Sequence, residues 1–86
     1  MYALDIKPSV DKIFKKLAKK DREQLRRIGN KIEQILANPY HAKPLKYPLD
    51  GFRRVHVGSF VITYTIHEQE KVVEIFDYDH HDNIYL

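Results

Sequence analysis

Gly51-Phe52-Arg53-Arg54-Val55-His56-Val57-Gly58-Ser59-Phe60-Val61-Ile62-Thr63-Tyr64 is the stretch from which the rest of the chain can be read. Two alternating runs, over residues 53–57 and 60–67, flank Gly58-Ser59, a two-residue link with glycine first that suits a type II′ hairpin turn. If Val57 pairs with Phe60, Val55 faces Ile62 and Arg53 faces Tyr64, all on one side of the hairpin. That side is mainly apolar and is expected to cover helices. Arg54, His56, Val61, Thr63 and Thr65 fall on the other side, which reads as polar and outward-looking, with a cation beside an imidazole.

Downstream, the polar turn Glu68-Gln69-Glu70-Lys71 leads to a last strand over residues 72–78 and then to a polar tail, 79–86, ending on Ile84-Tyr85-Leu86. Upstream, residues 38–51 hold three prolines and read as a loop, with Leu45 and Leu49 as its expected anchors. Asn38-Pro39 stops a helix whose apolar stripe is Leu25, Ile28, Ile32, Ile35 and Leu36, and Asp21 is its expected N-cap. An earlier helix starts at Pro8, carries Val10, Ile13, Phe14 and Leu17 at helical spacing, and closes on Lys19-Lys20, where cations complement its dipole. So short a link between two helices implies an antiparallel pair. Residues 2–6 alternate and read as a short first strand. The expected fold is therefore α+β: an N-terminal strand, an antiparallel helical hairpin, then a three-stranded antiparallel β-meander, with the helices on one face of a small antiparallel sheet.

The 86 residues suffice for one core, so a single domain over 1–86 is expected. No cysteine is present, which removes disulfides, thiolate catalysis and cysteine zinc sites together. No run approaches the ~18 apolar residues of a membrane span, and the N-terminus lacks the apolar segment of a signal peptide, so a cytoplasmic protein without membrane contact is expected. Net charge is only +3, but residues 7–31 carry ten Lys or Arg against Asp11, Asp21 and Glu23. Lys12, Lys15, Lys16, Lys19 and Arg26 are thus candidate contacts for a polyanion or for an acidic protein.

Asp79-His80-His81-Asp82 follows the last strand, and a meander returns that strand's end beside the start of the middle one. His80 or His81 can then approach His56, and Tyr85 lies near enough along the chain to fold over the same face. Two imidazoles, the Arg54 guanidinium and a tyrosine suit RNA cleavage without a metal or other cofactor. One group takes the proton of the 2′-OH, which attacks the adjacent phosphorus; a fixed cation stabilises the phosphoryl oxygens; an acid protonates the departing 5′-oxygen. Histidine serves as base or acid near neutral pH, whereas arginine only stabilises charge. Adjacent histidines on an extended chain point apart, which argues against a shared metal ion. Apart from the tyrosine, no aromatic platform is evident for gripping a free single strand, so free RNA is expected to be a poor substrate.

The two-helix start, the hairpin stretch 51–64 and the ending His80-His81-Asp82-Asn83-Ile84-Tyr85 resemble the RelE/ParE toxin family over nearly the whole chain. That resemblance implies the toxin of a type II toxin–antitoxin module, held by an acidic RelB-like antitoxin. RelE-like members cut mRNA in the ribosomal A site, and ParE-like members inhibit DNA gyrase. On the RelE pattern Arg54 and His56 take the positions of basic residues on the hairpin's first strand. His80 and His81 take those of the histidine and arginine of a terminal Gly-His-Arg, and Tyr85 matches the C-terminal tyrosine. The sequence departs from the pattern at Val61, where an arginine is usual, at Asp79 for glycine and at His81 for arginine. The expected activity is ribosome-dependent mRNA cleavage by Arg54, His56, His81 and Tyr85, with Lys12, Lys15, Lys16, Lys19, Arg26 and His80 contacting RNA or ribosome. The alternative is a gyrase inhibitor or a catalytically weakened antitoxin-binding module of the same fold.

Overall fold

A computed structural model describes residues 1–84; Tyr85 and Leu86 lie outside the described residues. Strand β1 (Ala3–Ile6) leads into helices α1 (Pro8–Lys20) and α2 (Arg22–Ala37), followed by β2 (Phe52–Val57), β3 (Phe60–His67), β4 (Val72–His80) and a one-turn helix, α3 (His81–Ile84). Pro8 opens α1, and the Asp21 side chain caps α2 by accepting from the Gln24 backbone N–H at 3.1 Å. In the β2–β3 turn Gly58 has φ +64°, while Ser59 is not among the positive-φ residues, as a type II′ turn requires. The register is Val57 with Phe60, Val55 with Ile62 and Arg53 with Tyr64, as the alternation of the sequence predicts.

The meander is not the whole sheet. The strand order is β1-β4-β3-β2, and β1 joins parallel to β4, with Ala3 opposite Val72 and Ile6 opposite Ile75, so the sheet is four-stranded and mixed. The α1–α2 hairpin is the crossover between β1 and the rest of the sheet. β4 also runs two residues further than its sequence predicts, to His80, before α3 takes up part of the expected tail.

β4 contains one extra residue. Tyr64 pairs with Ile75 and Thr63 with Asp77, which leaves Phe76 as a bulge. The bulge resets the alternation, so that Val73, Ile75 and Tyr78 are all buried although the last two are three residues apart. These side chains meet Val10, Phe14, Ile28, Ile32, Ile35, Ile62 and Tyr64 in the core between helices and sheet. Burial of each such aliphatic side chain is worth about 1.5–3 kcal/mol. Tyr78 stacks on Phe60 at 5.0 Å and meets Phe14 edge-on at 5.5 Å, and its hydroxyl accepts a hydrogen bond from Gln24 Nε2 at 2.9 Å. The long loop is anchored differently from expectation: Leu45 is half-buried but Leu49 is exposed, and Pro39 is the fully buried loop residue, its carbonyl accepting from the Tyr64 hydroxyl at 2.7 Å. Proline fits there because it brings apolar surface and no N–H that burial would leave unpaired. No described helix is long and apolar enough to cross a membrane.

Candidate active site

The face of the sheet turned away from the helices brings His56 and His81 together. His56 projects from β2, and its ring centroid lies 5.8 Å from that of His81, with the planes inclined at 34°. The approach is set by backbone: the His81 N–H donates to the Ser59 carbonyl at 2.8 Å, which ties the start of α3 to the β2–β3 turn. Arg54, two residues before His56 and on the same side, is half-buried, and its Nε donates to Thr63 Oγ1 at 3.4 Å across the pair they form in the ladder. A guanidinium and two imidazoles therefore share one surface, the arrangement that proton transfer around a charged phosphoryl group needs.

Other sequence-derived candidates fall elsewhere. His80 belongs to the opposite side: it pairs with Phe60, lies edge-on to that ring at 5.2 Å, and accepts at Nδ1 from the Asp82 N–H at 3.1 Å. Of the two adjacent histidines only His81 reaches His56. Tyr85 lies outside the described residues. Lys12, Lys15, Lys16, Lys19 and Arg26 are exposed on the helices, across the sheet from the histidine pair. Lys15 pairs with Asp11 at 3.0 Å, and Arg26 forks onto Glu23, donating from Nε at 3.0 Å. These cations can steer a polyanion, but they cannot touch a phosphate that lies between His56 and His81.

Nor is the histidine face open and polar throughout. Val61 is fully buried and Thr63 is 5% exposed. Beside them the Phe52 and Phe76 rings meet at 4.8 Å, reaching across β3 from strands on either side of it, and Lys7 Nζ stands 4.2 Å from the centre of the Phe76 ring. An aromatic cluster that the sequence reading excluded thus sits on this face. Alternation from buried Val73 and Ile75 already turns Phe76 away from the core; the bulge adds Asp77 on the same side and returns Tyr78 inward.

The same ladder places Asp77 level with Thr63 and Arg54, and Asp79 level with Val61 and His56. The face is therefore cationic along β2 and acidic along β4. Asp79 accepts from Asn83 Nδ2 at 2.9 Å and from the His80 N–H at 2.7 Å. These bonds, that from Asn83 foremost, hold its carboxyl below the usual carboxylate range. In the sequence Asp79 stands out as a member of the Asp79-His80-His81-Asp82 cluster and as a departure from glycine, whereas nothing there marks Asp77.

The family model for the ParE toxin of the type II toxin-antitoxin system parDE matches residues 4–85. A candidate toxin of Methanocaldococcus jannaschii, RelE4, is 50% identical, over 99% of this chain and 92% of that protein. Among solved structures, a YoeB/ParE toxin from Agrobacterium tumefaciens superposes with a TM-score of 0.83 at 15% identity, covering 92% of this chain and 98% of the other. An archaeal RelE–RelB complex from Pyrococcus horikoshii superposes with a TM-score of 0.70 at 20% identity, covering 93% and 94% of the two chains. At such identities the likeness is one of fold.

Proposed function

The chain belongs to the ParE toxin family of type II toxin–antitoxin systems, and from that premise we propose that it is a cytoplasmic, single-domain endoribonuclease that cuts mRNA held by the ribosome. The apposition of His56 and His81 at 5.8 Å, with Arg54 on the same strand face as His56, carries this reading. One imidazole takes the 2′-OH proton while the other protonates the 5′-oxygen as its bond to phosphorus breaks. Arg54 stabilises the charge that grows on the phosphoryl oxygens. Tyr85, at the matching position of the RelE pattern, is assigned to the same site. The steps need no metal, because a cyclic phosphate and a free 5′-hydroxyl account for every proton moved.

Dependence on the ribosome follows from what the face lacks. Val61 replaces a second cation, and Asp77 and Asp79 repel phosphates from the β4 side. A ribosome that holds mRNA in a bent path supplies the orientation this site cannot impose alone. The helical cations Lys12, Lys15, Lys16, Lys19 and Arg26 then dock on ribosomal RNA, and association weakens as salt rises. An acidic antitoxin segment, of the RelB kind seen with the Pyrococcus horikoshii toxin, is the proposed neutralising partner, its charge complementary to the basic helices.

The acidic residues Asp77 and Asp79 on β4 favour a second reading, in which the chain binds DNA gyrase or an antitoxin without cutting RNA. Expression of the chain alone in a cell-free system separates the two. The nuclease reading requires cleavage within coding sequence; intact mRNA with blocked DNA supercoiling would replace it with the second.

A further inference from the structure

The acid–base chemistry leaves the Phe52–Phe76 pair unused. Phe76 is the unpaired residue of the β4 bulge, and bulges are over-represented next to active sites. Phe76 is 38% exposed despite the contact with Phe52, and Lys7 places a cation against its ring. Phe52, Arg54 and His56 alternate along β2, so they follow one another at intervals of roughly 7 Å on one face. The order along that line is aromatic pair, guanidinium, imidazole pair.

We propose that Phe52, Phe76 and Lys7 form a stacking platform for one unpaired nucleobase of the RNA strand whose neighbouring phosphate is held by Arg54. The inference rests on the nuclease reading and names the part of the substrate that reading leaves unplaced. Aromatic rings grip single strands with little regard to sequence, because every base has a π-face. The distribution of charge sets the strand's course: phosphates run along β2 past Arg54 and His56, kept from β4 by Asp77 and Asp79, while the base leans across β3 onto the rings. A duplex does not fit, since its bases are already stacked on one another.

The test compares Phe76→Leu, which keeps the apolar cover over β3, with Phe76→Tyr, which keeps the aromatic face. Each variant is first shown by urea denaturation to fold. The probe is a ribosome programmed with mRNA that is 2′-deoxy at the cleavage position and carries 2-aminopurine at the adjacent base; the all-ribose mRNA gives kcat and KM. Stacking predicts that the wild type and Phe76→Tyr quench 2-aminopurine, that Phe76→Leu does not, and that Phe76→Leu raises KM about ten-fold with kcat nearly unchanged. Equal KM and equal quenching in wild type and Phe76→Leu would overturn the platform while leaving the nuclease reading intact. So would Phe76→Tyr failing as badly as Phe76→Leu, which would mark a packing role. A wild type that quenches but never cuts would remove the nuclease reading and keep the platform; one that cuts without quenching would do the reverse.

Discussion

On the helix side of the sheet, Ile62, Tyr64, Val73, Ile75 and Tyr78 are buried against α1 and α2, and the polar atoms of the two tyrosines are paired with Pro39 and Gln24. On the other side the same strands present Arg54, His56, Phe76, Asp77 and Asp79, half-buried or exposed and sorted by charge. Stability depends on the first surface, and the proposed chemistry is assigned to the second. The β4 bulge is where the two demands meet, because one extra residue leaves both Phe76 and Asp77 facing outward and returns Tyr78 to the core. The comparison teaches that substitutions on the two faces should separate cleanly, with loss of fold on one and loss of activity on the other.

The largest effect should come from the core. Ile75→Ala removes a fully buried side chain opposite Tyr64 and is expected to cost about 2–5 kcal/mol in urea denaturation. His56→Gln, across the sheet on an exposed position, should alter stability by less than about 0.5 kcal/mol; a comparable loss would erase the division between faces. On the proposed active face, Arg54→Ala should cost about 2–4 kcal/mol in transition-state stabilisation, read as the ratio of kcat/KM values. Lys19→Ala, on the helix layer, should cost under about 1 kcal/mol and only at low salt, because a solvated charge is screened. Equal losses in a translation assay would remove Arg54 from the site.

A smaller effect sharpens the stability side. Asp21→Ala deletes the α2 cap and should cost about 1 kcal/mol in stability with kcat unchanged. The smallest concerns Glu68, which gathers three donors at the far end of the sheet: Lys71 Nζ and the hydroxyls of Tyr40 and Tyr2. These hydrogen bonds, Lys71 first, push its carboxyl down to about 2 from an ordinary 4.5, and the Tyr40 hydroxyl is pushed up to about 12 by the same contact. Because the folded value lies below the unfolded one, Glu68 contributes fully above pH 4.5, and its contribution is lost as pH falls towards 2. The stability gap between the wild type and Glu68→Gln should therefore be widest near neutral pH and close across that window. A gap that persists in acid would show that the carboxylate's charge is not what holds these residues together.

Much of this layout is legible in the sequence because it is local. Gly58-Ser59 sets the β2–β3 register, and Asp21 with Asn38-Pro39 brackets α2, since turn and cap chemistry act over a few residues. What is not legible depends on distant partners or on a single inserted residue. The four residues of β1 carry no mark of whether they pair parallel or antiparallel, and only the crossover through α1 and α2 decides it. The bulge at Phe76 defeats a simple count along β4, so the sides taken by Asp77, Asp79 and His80 could not be assigned from alternation. Topology alone brings His80 or His81 near His56 without choosing between them, and the hydrogen bond to Ser59 that selects His81 has no local signature.

The pairing of His56 with His81 as base and acid is tested most directly by single-turnover cleavage of mRNA in programmed ribosomes, measured across pH for the wild type, His56→Gln and His81→Gln. Two histidines in these roles require a bell-shaped profile in the wild type, with one limb abolished in each variant and rates reduced by roughly 10²–10⁴-fold. Full cleavage rates in both variants, with the bell intact, would contradict acid–base catalysis by this pair.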